Sequence, residues 1–327
     1  MMKTVPAVAA VTLASLFNIT AAHAEPTYPD KPVSVIIGFS PGGPTDAIGR
    51  VLFRKVAEVM KTPFVIENRP GAGGNIGSQD LARAKPDGYT TMYGTSSVTT
   101  APPLFKRDDL NPEKAFDAAA CTTKVPLILL VNNKISANNV AEFYKQIKDN
   151  PGKFFMGSSG NGSIDHLVAM EIASKLGQKF QLVPYKGNGP ALTDLAAGNV
   201  NFMYSGSFNS ALPFIQKGTI KALAVTSSKR SGALPDVPTL SESVNELKGY
   251  DAGTWQALLA PKNTPANVLK ALDAGVQSAL KDKEVLKSLH YQGADIMHMP
   301  PSECQAFIKD EYARWSKTIS DLNLSAR

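Results

Sequence analysis

Apolar residues fall into two periods along this chain, and the two periods alternate. Residues 32–39, PVSVIIGF, have the composition of a strand buried on both faces. After a short turn, Ile48, Val51, Leu52, Val56 and Val59 recur at the i, i+3, i+4 spacing of one helix face. Residues 64–66 and 89–93 read as further strands, and 125–131 is a strong apolar run. A helix is expected over 138–149, ended by Asn150-Pro151-Gly152. Residues 153–156 form the next strand. The helix after it carries Ile164, Leu167, Val168, Ile172 and Leu176 on one face and stops at Gly177. Strands around 182–185, 200–204, 222–226 and 255–260 continue the alternation. Ile308, Tyr312, Trp315, Ile319 and Leu322 mark a last long helix. This pattern predicts an α/β fold with mainly parallel sheets.

The 327 residues exceed what one core usually serves, so two domains of roughly 100–200 residues are expected. Ser, Pro and Gly are scattered as turn punctuation, and no low-complexity linker divides the chain. The crossings between domains are therefore expected in extended strands, at 125–131 and 255–260. That division gives one domain from 25–124 with 255–327 and a second from 125–254.

The first residues bear on the compartment. Lys3, an apolar run over 7–19 and Ala22-His23-Ala24 have the order of a secretory signal, and Glu25-Pro26 and Tyr28-Pro29 break the pattern at once. Residues 1–24 are expected to be cleaved near Ala24, with the mature chain exported to a periplasm. No apolar stretch of about 18–20 residues follows residue 30, so the mature chain is not expected to span a membrane. An oxidising compartment permits a Cys121–Cys304 bridge, but two separate buried thiols fit the sequence equally well. A hydrophobic fraction of 43% argues against disorder. The 34 Lys and Arg are spread among 28 Asp and Glu without basic runs, so no nucleic-acid partner is indicated.

Enzymatic signatures are missing where they would be sought. His166, His290 and His298 have no metal-ligand spacing. Gly157-Ser158-Ser159-Gly160-Asn161 fails the G-x-S-x-G pattern at its last position, and Ile76 stands where Gly71 and Gly73 would need a third glycine. Asp165-His166 beside Ser163 fits a helix cap with its first turn better than part of a catalytic triad. A periplasmic hydrolase using Ser159 or Ser163 is the rival reading, and activated esters would test it.

Two loops share one grammar: a strand, small residues, then a helix start. The first is Phe39-Ser40-Pro41-Gly42-Gly43-Pro44-Thr45-Asp46, with Thr45 or Asp46 able to cap the helix. The second runs from Gly157 to Ser163, with Ser163 as the cap. Such turns leave backbone N–H groups pointing outward, glycine allows close approach, and the helix dipole favours an anion. Either loop alone could be an ordinary strand-to-helix turn. Two together, with a third cluster at Gly71-Ala72-Gly73-Gly74, favour a ligand cleft.

The residues also carry a family pattern in order along the chain. It begins with Tyr28-Pro29-Asp30-Lys31-Pro32, then Pro41-Gly42-Gly43-Pro44-Thr45-Asp46. The block Val65-Ile66-Glu67-Asn68-Arg69-Pro70-Gly71-Ala72-Gly73-Gly74-Asn75-Ile76-Gly77 follows, then Pro86-Asp87-Gly88-Tyr89-Thr90. Ser158-Ser159-Gly160, Val183-Pro184-Tyr185-Lys186-Gly187, Ala222-Leu223-Ala224-Val225-Thr226 and Pro235-Asp236-Val237-Pro238-Thr239 complete it, with Trp255 and residues 261–265. In these stretches the chain resembles the periplasmic solute-binding proteins of tripartite tricarboxylate transporters, the Bug or TctC-like family.

The resemblance implies a two-domain periplasmic binding protein, type II-like, with two crossover strands and an interdomain cleft. It implies a small organic carboxylate held by backbone amides and waters, delivered to the permease subunits of a membrane transporter, or to a sensor kinase in the rival role. No cofactor, metal or covalent step is implied, and a monomer is expected. The contacts it points to are Pro41, Gly42, Gly43, Thr45 and Asp46 in one loop and Ala72, Gly73 and Gly74 as a second wall. From the other domain come Ser158, Ser159, Gly160 and Ser163, with His166 one turn on. Tyr185 and Lys186 would reach the far end of the ligand. The segment Pro102-Pro103-Leu104-Phe105-Lys106-Arg107-Asp108-Asp109-Leu110 departs from the family pattern, so the cleft edge should differ there.

Overall fold

The structure is a computed structural model in which residues 28–185 and 187–325 are described. The expected export segment 1–24 and Lys186 lie outside the described residues. Chain order begins β1 (Val33–Ile37), α1 (Pro44–Met60), β2 (Phe64–Asn68), α2 (Asn75–Ala82), β3 (Thr90–Thr95), α3 (Ser97–Leu104), α4 (Pro112–Ala115) and β4 (Phe116–Pro126). It continues with β5 (Ile128–Asn132), α5 (Val140–Asp149), β6 (Phe155–Ser158), α6 (Ile164–Leu176), β7 (Gln181–Pro184), α7 (Asn188–Ala197), β8 (Phe202–Ser205), α8 (Phe208–Gln216) and β9 (Ile220–Val225). The last elements are α9 (Leu240–Ser243), β10 (Gly253–Pro261), α10 (Ala266–Ala279), α11 (Lys283–Tyr291), β11 (Asp295–Met299) and α12 (Pro301–Asp321).

These strands form two sheets, which define two lobes. The first has the order β11-β4-β10-β3-β1-β2 and the second β7-β6-β8-β5-β9. Strands reached through a helix lie parallel, as in β2-β1-β3 and β7-β6-β8. The two strands that arrive from the other lobe, β5 and β10, enter reversed and pair antiparallel with both neighbours, and β11 also runs antiparallel to β4, so both sheets are mixed.

Apolar spacing places each helix on its sheet. In α1 the residues Ile48, Leu52, Phe53 and Val56 are buried, while Val59 at the edge of that stripe is exposed. α6 buries Leu167, Val168 and Ile172 and ends at Gly177 in the left-handed conformation.

The chain passes to the second lobe at Leu127, between β4 and β5, and returns at Ala252, just ahead of β10. Residues 255–260, expected as the second crossing, instead pair along their whole length with β3 and β4. Buried Thr226 joins both crossings. Its hydroxyl accepts from the Leu127 N–H at 2.9 Å and donates to the Ala252 carbonyl at 2.7 Å. A Cβ on Gly253 would lie 2.6 Å from the Val125 carbonyl oxygen, so only glycine allows the crossings to run this close.

Cys121 of β4 and Cys304 of α12 are joined in a disulfide with Cα atoms 5.3 Å apart, which settles the alternative left open by the sequence. The same helix serves both lobes. Cys304 and Ile308 pack with Ala118 and Trp255 of the first sheet, whereas Trp315 and Ile319 pack with Phe143 of α5 and Phe202 of β8 in the second lobe. Arg314 on this helix pairs with Glu171 of α6 at 2.7 Å.

Candidate functional site

A cavity of about 820 Å³ opens between the lobes at the carboxyl ends of the parallel strands. Five helices begin at its wall: α1 after Gly43, α3 after Ser96, α6 after Ser163, α7 after Gly187 and α8 after Ser207. None of these five has a side-chain cap hydrogen bond. Away from the cavity, α4, α5, α9 and α11 are capped by Asn111, Asn139, Thr239 and Asp282, while α2, α10 and α12 also start without a side-chain cap, so what distinguishes the five is their convergence on one cavity. The helices that face the cavity therefore keep first-turn N–H donors open to it.

Helix dipoles add positive potential at each start. No Lys or Arg is among the described lining residues; the sole charged one is Asp165. Such a site attracts an anion with backbone donors, and among the described residues it offers no cationic side chain as a counter-ion.

Both glycine loops are held by a carboxylate in the first turn of the following helix. In the first loop the Gly42 N–H donates to Asp46 at 2.9 Å, with Gly42 at φ +79°. Arg50 and Asn68 also donate to Asp46, at 2.8 and 2.9 Å. Burial alone would raise the Asp46 pKa, but these hydrogen bonds outweigh it and hold the carboxyl below its ordinary range. Asp46 does not line the cavity, and Gly43, rather than Thr45 or Asp46, takes the cap position.

In the second loop the Ser159 N–H and hydroxyl both donate to Asp165. The Ser163 hydroxyl turns back to the Gly160 carbonyl at 2.6 Å, leaving the α6 terminus uncapped. His166 Nδ1 accepts the Gly162 N–H at 2.9 Å. Neither serine hydroxyl is hydrogen-bonded to the imidazole, so this group braces a loop and does not make a nucleophile.

Burial pushes the Asp165 carboxyl above its ordinary range, and the Ser159 donors offset only part of that shift. Between the ordinary carboxyl pKa of about 4 and the raised value, the folded chain keeps a proton that the unfolded chain has released. Asp165 therefore contributes stability at low pH that is lost as pH rises through the folded-state value. Asp165→Asn, neutral throughout, should flatten the decline of Tm above about pH 4. An unchanged slope would remove Asp165 as its source.

Of the expected contacts, Pro41, Gly42, Gly43, Thr45, Gly73, Ser159, Gly160 and Ser163 do line the cavity. Asp46, Ala72, Gly74, Ser158, His166 and Tyr185 do not. Gly74 is pressed between loops: its Cα lies 3.1 Å from a Cβ built on Gly38, and its own Cβ would meet Ser97 Oγ at 3.0 Å. Ser158 is fully buried at the end of β6. Tyr185 donates to Asp194 at 2.7 Å within its own lobe.

The sequence reading missed the starts of α3, α7 and α8, along with Thr254 and Gln256 on β10. Gly187-Asn188-Gly189 repeats the small-residue grammar and was findable on that signal. The atypical 102–110 segment brings Leu104 and Phe105 to the cavity edge beside Phe39 and Ala101, as an apolar wall. Leu104 is buried against the second lobe: a Cβ on Gly162 would lie 1.9 Å from Leu104 Cδ2.

Among the described residues, no group of His, Cys, Asp or Glu is placed to hold a metal ion, and no helix is long and apolar enough to cross a membrane.

Comparison with known proteins agrees with this geometry. The family described as tripartite tricarboxylate transporter family receptor matches residues 48–324. Periplasmic binding protein BugD is 32% identical, with 92% of this chain and 100% of that one covered and a TM-score of 0.75. R. palustris Rpa4515, solved with adipate, is 30% identical over 91% of this chain and 99% of that one, with a TM-score of 0.78. MatC from Rhodopseudomonas palustris, solved with malate, is 30% identical over 89% of this chain and 100% of that one, with a TM-score of 0.75.

Proposed function

The chain belongs to the tripartite tricarboxylate transporter receptor family, a family of receptors and not of enzymes, and from that premise we propose that it captures a small organic carboxylate between its lobes. The capture takes place in the periplasm after removal of residues 1–24, and the monomeric receptor delivers its solute to the permease subunits of a tripartite tricarboxylate transporter. The lobe that ends at Pro126 and resumes at Gly253 moves as one domain, and the lobe between the two crossings as the other. No cofactor takes part.

The observation that carries this reading is the convergence of five uncapped helix starts on one cavity, with no Lys or Arg among its described lining residues. Each charge-assisted bond from such an N–H to a carboxylate contributes about 1.5–3 kcal/mol. The adipate and malate bound to two relatives support the ligand class. Pro41, Gly42, Gly43 and Thr45 hold the carboxylate from one side, and Ser159, Gly160 and Ser163 from the other. Closure follows from tighter binding in the closed arrangement than in the open one.

A thermal-shift screen of carboxylic acids tests the reading. A ligand at 100 times its dissociation constant adds about 2.7 kcal/mol, visible as a raised Tm. Amines and neutral sugars should give no shift, and a screen in which no acid raises Tm would overturn the assignment.

Gly43→Val locates the carboxylate. Gly43 has φ −73° and ψ 168°, which valine readily adopts, and its Cβ would stand 3.4 Å from the Ser40 carbonyl oxygen. The fold should accept the change, while the isopropyl group covers the Thr45 and Asp46 N–H groups. Calorimetry should show affinity falling about tenfold or more, as expected for one lost charge-assisted bond, with Tm nearly unchanged. Unaltered affinity would remove this loop from the site.

A further inference from the structure

Gln256 lies on β10 in the middle of the first sheet, is 1% exposed and yet contributes to the cavity lining. Its Oε1 accepts from the Thr123 hydroxyl at 2.6 Å. Thr123 itself sits 3.4 Å from the Tyr93 hydroxyl and 3.5 Å from that of Thr122, whose own hydroxyl donates to the Gln256 carbonyl at 3.0 Å. This buried network fixes which way the carboxamide faces. Its oxygen is committed to the sheet, and its Nε2 has no hydrogen-bond partner among the described residues. The nitrogen itself is not sealed in the sheet: it is open to the cavity, where a group of the solute can take its hydrogen bond in place of water.

The neighbours narrow what that group is. Thr254 lies on the same strand face two residues away, and Thr95 is the β3 partner of Gln256 in the ladder. Val125 and Leu127, also in the lining, belong to the first crossing. This part of the cavity is uncharged among the described residues and rich in hydroxyls, and its amide nitrogen is a donor whose direction the network behind it fixes. An amide NH₂ only donates, so it pairs with a carbonyl or carboxylate oxygen that accepts from it and disfavours an ammonium group or an alkyl end.

We infer that the Gln256 carboxamide, oriented by Thr123, is a specificity-determining donor for the solute. It selects carboxylates that carry a further hydrogen-bond acceptor at the point facing β10. Gln256 touches the ligand, and Thr123 is a positioning residue behind it. The inference rests on the carboxylate reading above and adds to the loop contacts a second point of recognition on the solute.

Matched acids test it by calorimetry: butyrate against succinate, pentanoate against glutarate and hexanoate against adipate, with 4-oxopentanoate as the carbonyl counterpart of pentanoate. The wild-type protein should bind at least one acceptor-bearing acid about tenfold or more tightly than its plain partner, as one buried hydrogen bond to a charged group predicts. Gln256→Met keeps the length of the side chain and removes the donor. It should bring that pair level while leaving the plain acid within about twofold, since that contact was never made. Thr123→Val should reduce the preference in the same direction by freeing the amide to rotate. Gln256→Glu, whose fold is checked by its melt, should bind dicarboxylates more weakly than plain acids at neutral pH.

A preference that survives both Gln256→Met and Gln256→Glu would overturn the inference while leaving the carboxylate site standing, as would a wild-type protein that shows no preference in any pair. Failure of every acid to bind would count against the carboxylate reading itself and take this inference with it. The 4-oxopentanoate arm separates a carbonyl acceptor from a carboxylate one.

Discussion

Gly162→Ala should weaken solute binding by about tenfold or more, and Leu104→Ala introduced beside it should restore most of the loss. Two separate costs meet at this glycine. Its φ of +77° is in the left-handed region, where a non-glycine residue costs roughly 1–3 kcal/mol whether or not the lobes are apposed. The second cost depends on apposition, because the new Cβ would stand 1.9 Å from Leu104 Cδ2 of the other lobe. Strain lowers Tm in every arrangement, but the clash penalises only the one in which Leu104 reaches the 160–163 loop. Leu104→Ala removes the clash and leaves the strain. The double variant should therefore regain affinity without regaining Tm, which calorimetry and a melt separate. If affinity fails to recover, Leu104 is not the group against which the loop closes.

Breaking the Cys121–Cys304 bond should be the largest loss of stability available to a conservative change. The bridge closes a loop with a sequence separation of 183, for which chain entropy gives about 5 kcal/mol as an upper figure. Both residues are fully buried, so Cys121→Ala with Cys304→Ala also leaves small voids in the cluster around Trp255. Tm should fall by about 10 °C or more. Reductant should lower the wild-type Tm and leave the double variant unmoved. Equal melts for the two proteins under oxidising conditions would show that the bridge contributes nothing.

The parts of the site that the sequence made legible are those where glycine announces a backbone requirement. Pro41-Gly42-Gly43 and Ser159-Gly160 stood out because small residues between a strand pattern and a helix pattern mean exposed N–H groups. Regular apolar spacing marks α1 and α6 to within a few residues of their ends and the C-terminal two-thirds of α12, whose first turns before Ile308 carry no such stripe. α3 was hidden because Pro102 and Pro103 stand in its last turn and argue against any helix there. Gln256 was hidden for another reason: in sequence it is one polar residue inside an apolar strand, and only the sheet reveals that its amide is pinned from behind. Asp46 and His166, expected as ligand contacts, stand outside the cavity lining, where their side chains hold the shape of the adjoining glycine loops. The return crossing fell earlier than 255–260 because Trp255–Ala260 is apolar for the sake of the first sheet's core, and apolarity alone does not say which sheet a strand joins.

α12 adds a mechanical consequence. Thr226 pins the two crossings side by side, so on their own they would act as the spine of a book that could fall fully open. The last helix is a stay fastened to both covers, by the disulfide at Cys304 on one side and by Arg314, Trp315 and Ile319 on the other. Wide opening must shear the Trp315 packing or draw Arg314 from Glu171, so the stay sets a maximum gape. An empty receptor held near that limit searches few orientations before it shuts on its solute.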